Sequence, residues 1–271
     1  MILHIRHETS YRYEQPVRYS VQSLRLTPRR DGGQRTLNWR LDAPGRRTEQ
    51  IDAHGNVAHL LTVDEPHEEI RIVASGMVEV AQEGAAVQER GPLSPLVYLP
   101  ATALTVADEA VAALAARAFA PADAGEVRHE QLLALAAAVC EAVQYRPGVT
   151  TVADTAATAL RCGQGVCQDQ AHVFMACCRA LGLPARYVSG YVLSAGDADA
   201  ASHAWVEVWQ PAHAVWLGID VTHACAAGAD HCRLAVGRDY LDASPVRGMR
   251  RGGGLEALHV NVQVGTQSIQ Q

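Results

Sequence analysis

The sequence predicts an α+β protein, an N-terminal antiparallel β-sandwich-like unit followed by a mixed core built on an antiparallel sheet. Three observations carry this. Residues 1–90 alternate apolar and polar with period 2 between turn signals. Residues 91–104, GPLSPLVYLPATAL, concentrate three prolines and a glycine. Beyond 105, alanine-rich helical patterns lead into a helix followed by strands. The expected division is a β-rich unit over 1–90, a linker over 91–104 and the core over 105–271.

Within the first unit, Ile2–His7, Ser10–Tyr13, Val17–Thr27, Thr36–Leu41, Ala58–Val63 and Ile70–Val80 read as strands. Turn residues separate them at Glu14-Gln15-Pro16, Asp31-Gly32-Gly33, Ala43-Pro44-Gly45 and His54-Gly55-Asn56. After the linker, Thr105 or Asp108 caps a helix that runs through Ala118. A second helix covers Glu126–Tyr145 and ends at Arg146-Pro147-Gly148, and a short helical stretch covers Thr155–Leu160. Cys167 to Leu181 is a helix closed by Gly182 and Pro184. Arg186–Leu193, His203–Gln210 and Val215–Asp220 follow as strands. The polar segment after Gly252 reads as a partly mobile tail.

Composition narrows the function. Hydrophobic residues make up 48% and charged residues 19% of 271, the balance of an ordinary globular chain. A net charge of -6 argues against a nucleic-acid partner, although residues 1–50 hold ten Arg. No apolar run reaches membrane-spanning length, and the N-terminal residues lack the apolar core of a signal peptide. Seven cysteines, an odd number, in such a chain suggest a reduced, cytoplasmic protein without disulfides. All 23 basic residues are Arg, so a lysine cross-linking activity has no acceptor within the chain itself.

Cys167 begins the helix in GQGVCQDQAH. There a thiol faces the positive end of the helix dipole and backbone N–H groups, which favours thiolate and supplies a donor for an oxyanion. Gly163 and Gly165 permit close backbone approach. Gln170, Ala171, Phe174, Cys178 and Leu181 form a stripe beyond it that points the thiol toward the core. The run from Ser202 to Asp220 reads as a hairpin. A turn at Gln210–His213, with Trp209 opposite Ala214, sets His203 directly across from Asp220, within reach of a hydrogen bond. A carboxylate there fixes the imidazole tautomer and supports the imidazolium, completing a nucleophile, base and orienting acid.

GVCQDQAH, LGLPARYVSGY, SHAWVEV and WLGIDVT together resemble the transglutaminase-like cysteine enzymes, over about residues 140–250 including VGRDYLDASPVRG. The resemblance implies a papain-like core without an obligate cofactor, the strand-rich N-terminal region of bacterial members, and Cys167, His203 and Asp220 as the triad. One departure stands out. The family's Asp-Pro-Thr-Asn is here Asp220-Val221-Thr222-His223, which bears on the turn.

Gln164 and Tyr145 are candidates for the second oxyanion donor, and Trp205 for lining a substrate groove, each against a purely structural role. Asp169 and Arg186 read as charges that pair beside the site. His223, Cys225, His231 and Cys232 crowd ten residues but lack the paired spacing of structural zinc motifs, so no metal is expected. The expected function is acyl transfer from a peptide or protein amide through a thioester, with hydrolysis favoured over amine transfer. A transglutaminase, a non-enzymatic peptide-binding module and a zinc hydrolase on the 223–232 cluster are the alternatives. No membrane partner is expected, and a homo-oligomer is compatible with the exposed strands.

Overall fold

The computed structural model describes residues 1–30, 33–81, 86–88, 91–119, 127–193 and 202–266. Its strands are β1 (Ile2–Leu24), β2 (Gln34–Asp42), β3 (Arg46–Ile51), β4 (Val57–Val63), β5 (His67–Val80) and β6 (Ala86–Val87). Next come α1 (Glu109–Ala118), α2 (His129–Ala142), β7 (Gln144–Tyr145), α3 (Ala156–Cys162), β8 (Gln164–Gly165) and α4 (Cys167–Ala180). The chain continues with β9 (Ala185–Val192), β10 (Ser202–Gln210), β11 (Val215–Asp220), β12 (Cys225–Ala226), β13 (His231–Gly237), α5 (Tyr240–Ala243), β14 (Val246–Gly252) and β15 (Glu256–Thr266).

The predicted α+β class holds. The first sheet is antiparallel, with order β2-β5-β1-β4-β3 and with β14 and β15 also on β1. The turn expected at Glu14-Gln15-Pro16 is instead an irregularity within one 23-residue strand, where the β1–β5 register shifts between Arg12 and Val17. An irregularity tolerates the proline, which cannot donate to a ladder. The segment after Gly252, expected to be a partly mobile tail, is an ordered strand over Glu256–Thr266, because eleven residues of β15 pair with Leu3–Tyr13. Residues 105–271 therefore supply strands to both sheets; 267–271 lie outside the described residues.

The second sheet runs β12-β11-β10-β9-β13, with β6 on β11. Helices α2 and α4 pack against it, and α1 and α3 pack in turn on α4. Phe174, Met175 and Cys178 of α4 share a core with Val206, Val208 and Ile219. That helix is buried from Gln168 through Arg179 rather than along one stripe, as expected of a helix enclosed on all sides. Tyr191, Cys232 and Leu234 of β9 and β13 join the core of the first sheet with Leu3, Ile5 and Ile72, which fastens the two sheets together. The proline-rich stretch packs as well. A 3-10 turn at Pro95–Tyr98 is capped by Ser94, and the buried Arg179 guanidinium donates to the Tyr98 carbonyl at 3.0 Å.

The second predicted helix ends three residues early. Gln144 and Tyr145 leave α2 to pair in parallel with Gln164 and Gly165, which brings Tyr145 next to the residues that precede Cys167. Glu126, expected to open that helix, lies outside the described residues.

Candidate active site

Cys167 is the first residue of α4, and its position is fixed from both sides. Gly163, at φ +67°, terminates α3 in the left-handed conformation that glycine adopts without a steric penalty. The Asp169 carboxylate then accepts the Val166 N–H at 2.8 Å and the Thr150 hydroxyl at 2.7 Å, closing the first turn of the helix. Burial pushes the Asp169 carboxyl upward, against these hydrogen bonds. Gly165 lies so close that a Cβ there would sit 2.7 Å from Asp169 atoms. The first intrahelical bond runs from Gln170 N–H to Val166 carbonyl, so the Cys167 and Gln168 N–H groups sit in the unpaired first turn.

The hairpin supplies the other two residues in a register different from the one expected. Trp209 pairs with Trp216, and Glu207 with Gly218. The turn occupies 211–214, with Ala214 at φ +52°. Every pairing is therefore displaced by two positions, so Asp220 is a diagonal rather than a direct neighbour of His203. A two-residue displacement leaves side chains on the same face, since strand parity has period 2. His203 Nε2 and Asp220 Oδ2 meet at 2.8 Å.

Asp220 is fully buried, and Oδ2 also takes His223 Nδ1 at 2.7 Å and His231 Nε2 at 3.0 Å. An ionised carboxylate only accepts, so each facing ring nitrogen carries a hydrogen. Burial would raise this carboxyl, but the hydrogen bonds from His203, His223 and His231 outweigh it and hold Asp220 well below the usual carboxylate range. For His203 burial opposes the charge, and its bonds to Asp220 and to Cys167 prevail, raising the imidazole to about 10. With Nε2–H committed to Asp220, Nδ1 is the nitrogen left for the thiol.

The structure thus brings Cys167, His203 and Asp220 together. Tyr145 is half exposed and lies near the thiol, its hydroxyl pushed upward by burial and by charge on Cys167. Gln164 accepts from Arg146 at 3.2 Å through its amide oxygen. Trp205 is 1% exposed, in a cluster with Val188, Ala227 and Val236, and its ring stacks beside His203 at 6.3 Å. It supports the histidine from within the core. The crowded 223–232 stretch separates: His223 and His231 converge on Asp220, while Cys232 is buried in the core of the first sheet.

Two connections escaped the sequence reading. Thr222 donates to the buried Gln170 at 2.7 Å, tying the turn after Asp220 to the helix of Cys167. Glu207 bridges Arg186 at 2.6 Å and Arg233 at 2.9 Å, with all three side chains buried across β9, β10 and β13. The only advance signal was that Arg186 and Glu207 fall on successive strands.

Residues 3–79 match the model of the bacterial transglutaminase-like N-terminal region, and residues 112–221 that of the transglutaminase-like superfamily. An uncharacterised protein of Mycobacterium leprae is 31% identical over 277 residues, spanning 95% of this chain and 96% of its own. The chain belongs to the transglutaminase-like superfamily.

Other similar proteins vary in how much they share. A protein-glutamine gamma-glutamyltransferase of Pseudomonas aeruginosa is 31% identical over 159 residues, 51% of this chain and 23% of that protein. A solved chain from Cytophaga hutchinsonii, described as a candidate cysteine protease, superposes with a TM-score of 0.76 at 21% identity. That match covers 100% of this chain and 92% of the other, and it establishes a shared fold.

Proposed function

We propose that this transglutaminase-like protein is a hydrolase that cleaves peptide or isopeptide amides through a thioester on Cys167. The observation that carries the reading is the chain of contacts from the Cys167 thiol to His203 and from His203 Nε2 to Asp220 at 2.8 Å. The His203 imidazole, raised to about 10, takes the thiol proton on Nδ1 before Sγ attacks the carbonyl carbon, and later returns it to the departing amine. The Cys167 N–H, with Gln164 or Tyr145 as second donor, receives the oxyanion. Water then attacks the thioester and frees the acid. Cys167 is only half buried and Tyr145 beside it half exposed, which leaves a path for water.

Amine transfer is the second reading, favoured by the gamma-glutamyltransferase relative. All seven cysteines are free thiols, consistent with a reducing compartment, and we assign the protein to the cytoplasm. Among the described residues no helix is long and apolar enough to cross a membrane.

The test is incubation of glutamine- and isopeptide-containing peptides with wild type and Cys167→Ala, with and without an excess of a primary amine, followed by mass spectrometry. Free acid as the main product with amine present supports hydrolysis, and an amide adduct supports transfer. Turnover undiminished in Cys167→Ala removes the nucleophile and with it both readings.

A further inference from the structure

Asp220 has more imidazole partners than orienting His203 requires. One ligand atom each of His203, Asp220 and His223 lies within 4.8 Å of the other two. The contacts of His203 Nε2 and His223 Nδ1 with Asp220 Oδ2 are 2.8 and 2.7 Å. Neighbouring ligands around a tetrahedral zinc ion, with bonds of about 2.0–2.1 Å, stand a little over 3 Å apart. The two nitrogen–oxygen separations therefore need to open by about half an ångström to accept an ion between them. Two imidazoles and one carboxylate are a donor set that suits zinc and its first-row neighbours.

Access and support favour the same conclusion. The His223 side chain is 54% exposed, so an ion can enter from solvent through it, while His203 and Asp220 are buried and held in place. His231 Nε2, at 3.0 Å, donates to the carboxylate from another side, and its Nδ1 accepts the Gly228 N–H at 3.2 Å. That fixes the orientation of the acid independently of the ion, as partners behind metal ligands commonly do. His223 stands where the family resemblance leads one to expect asparagine, whose neutral amide would be a poor ligand.

We infer that His203, Asp220 and His223 form a binding site for a zinc-class divalent cation that reversibly shuts off the cysteine site. On binding, the metal replaces the proton on His203 Nε2, and that proton passes through solvent to the Cys167 Sγ that had given its own to Nδ1. His223 binds through Nδ1 and carries its proton on Nε2 instead. His203 keeps a proton on Nδ1 and has no lone pair left with which to take the thiol proton of Cys167. Shutting off the site rests on the cysteine-nucleophile reading above; binding of the ion does not.

The experiment uses chelator-stripped protein and two readouts. Titration calorimetry with zinc chloride, and absorption spectroscopy with cobalt(II), measure binding in wild type, His223→Asn and Cys167→Ala. Iodoacetamide labelling of Cys167, followed by peptide mass spectrometry with and without zinc, measures the effect on the thiol. The expected result is one ion per chain and a cobalt spectrum without a thiolate charge-transfer band. Binding should weaken about tenfold or more in His223→Asn and persist in Cys167→Ala. Zinc should slow labelling in wild type, with recovery on adding EDTA. No stoichiometric binding, full affinity in His223→Asn, or loss of binding in Cys167→Ala would each overturn the site. Slow labelling of Cys167 without zinc would instead count against the nucleophile, whatever the metal result.

Discussion

At the scale of single residues, the proposed chemistry depends on how firmly Asp220 is held. Its position is set by the turn that follows it, where Thr222 donates to Gln170 at 2.7 Å and the Thr222 carbonyl accepts the Cys140 thiol at 3.4 Å. Gln170 is fully buried and its amide nitrogen is already committed to the Val143 carbonyl at 2.8 Å. Replacing Thr222 by Val keeps the shape and removes the hydroxyl, so a buried amide oxygen loses its donor. We expect Thr222→Val to lose about 1–3 kcal/mol of stability and to label more slowly at Cys167, with Thr222→Ser close to wild type. Thermal denaturation and alkylation rates check this, and equal melting temperatures for Val and Ser would show that the hydroxyl carries no weight.

At the scale of elements, α4 and the β10–β11 hairpin must present their ends to each other. The start of α4 depends on Gly165, whose lack of a side chain leaves room for the Asp169 carboxylate against the Val166 N–H. Gly165→Ala forces that carboxylate aside and should cost about 1–3 kcal/mol as an overpacked site, together with slower thiol alkylation. A melting temperature unchanged from wild type would contradict the steric account. This element was legible in the sequence, because Gly-x-Gly before a cysteine at a helix start is local information. The hairpin was legible only up to its parity. Alternation put His203 and Asp220 on one face, but the turn conformation that sets register depended on Ala214 adopting positive φ, for which a non-glycine residue gives no warning. His231 reaches Asp220 through the pairing of β13 with β9, which spacing along the chain does not show, whereas His223 lies three residues on in the turn after β11. The ordered strand over Glu256–Thr266 was hidden for a related reason. Its face is largely exposed and its partner lies at the other end of the sequence.

At the scale of the whole molecule, the two sheets meet through a few buried polar contacts as well as apolar ones. His7 of β1 bonds to the Tyr191 hydroxyl of β9 at 2.8 Å and to Thr9 at 2.9 Å. Burial lowers the His7 imidazole to about 4 from an ordinary 6.5. The unfolded chain therefore binds a proton at His7 between those values while the folded chain does not, so stability falls as pH drops from 6.5 toward 4. The full contribution of this group is about 3 kcal/mol, absent above pH 6.5 where both states are neutral. His7→Gln should flatten that part of the pH–stability curve, and an identical acid slope in denaturant titrations of the two proteins would assign the sensitivity elsewhere. Asn56 acts at the same junction, since its side chain both accepts from the Val236 N–H at 2.8 Å and donates to the Val236 carbonyl at 2.8 Å.

The long first strand has a consequence for the order in which the chain takes shape. Val17–Leu24 pairs with Val246–Gly252 and Leu3–Tyr13 with Glu256–Thr266, so these residues of β1 wait during synthesis for partners more than two hundred positions later. Contacts of such sequence separation form slowly, because loop closure must precede them. Until then one flank of β1 is an open ladder of backbone donors and acceptors, the feature most prone to pairing with another chain. The thiol-bearing segment, encoded between the two halves of that ladder, is synthesised before the sheet beside it can close.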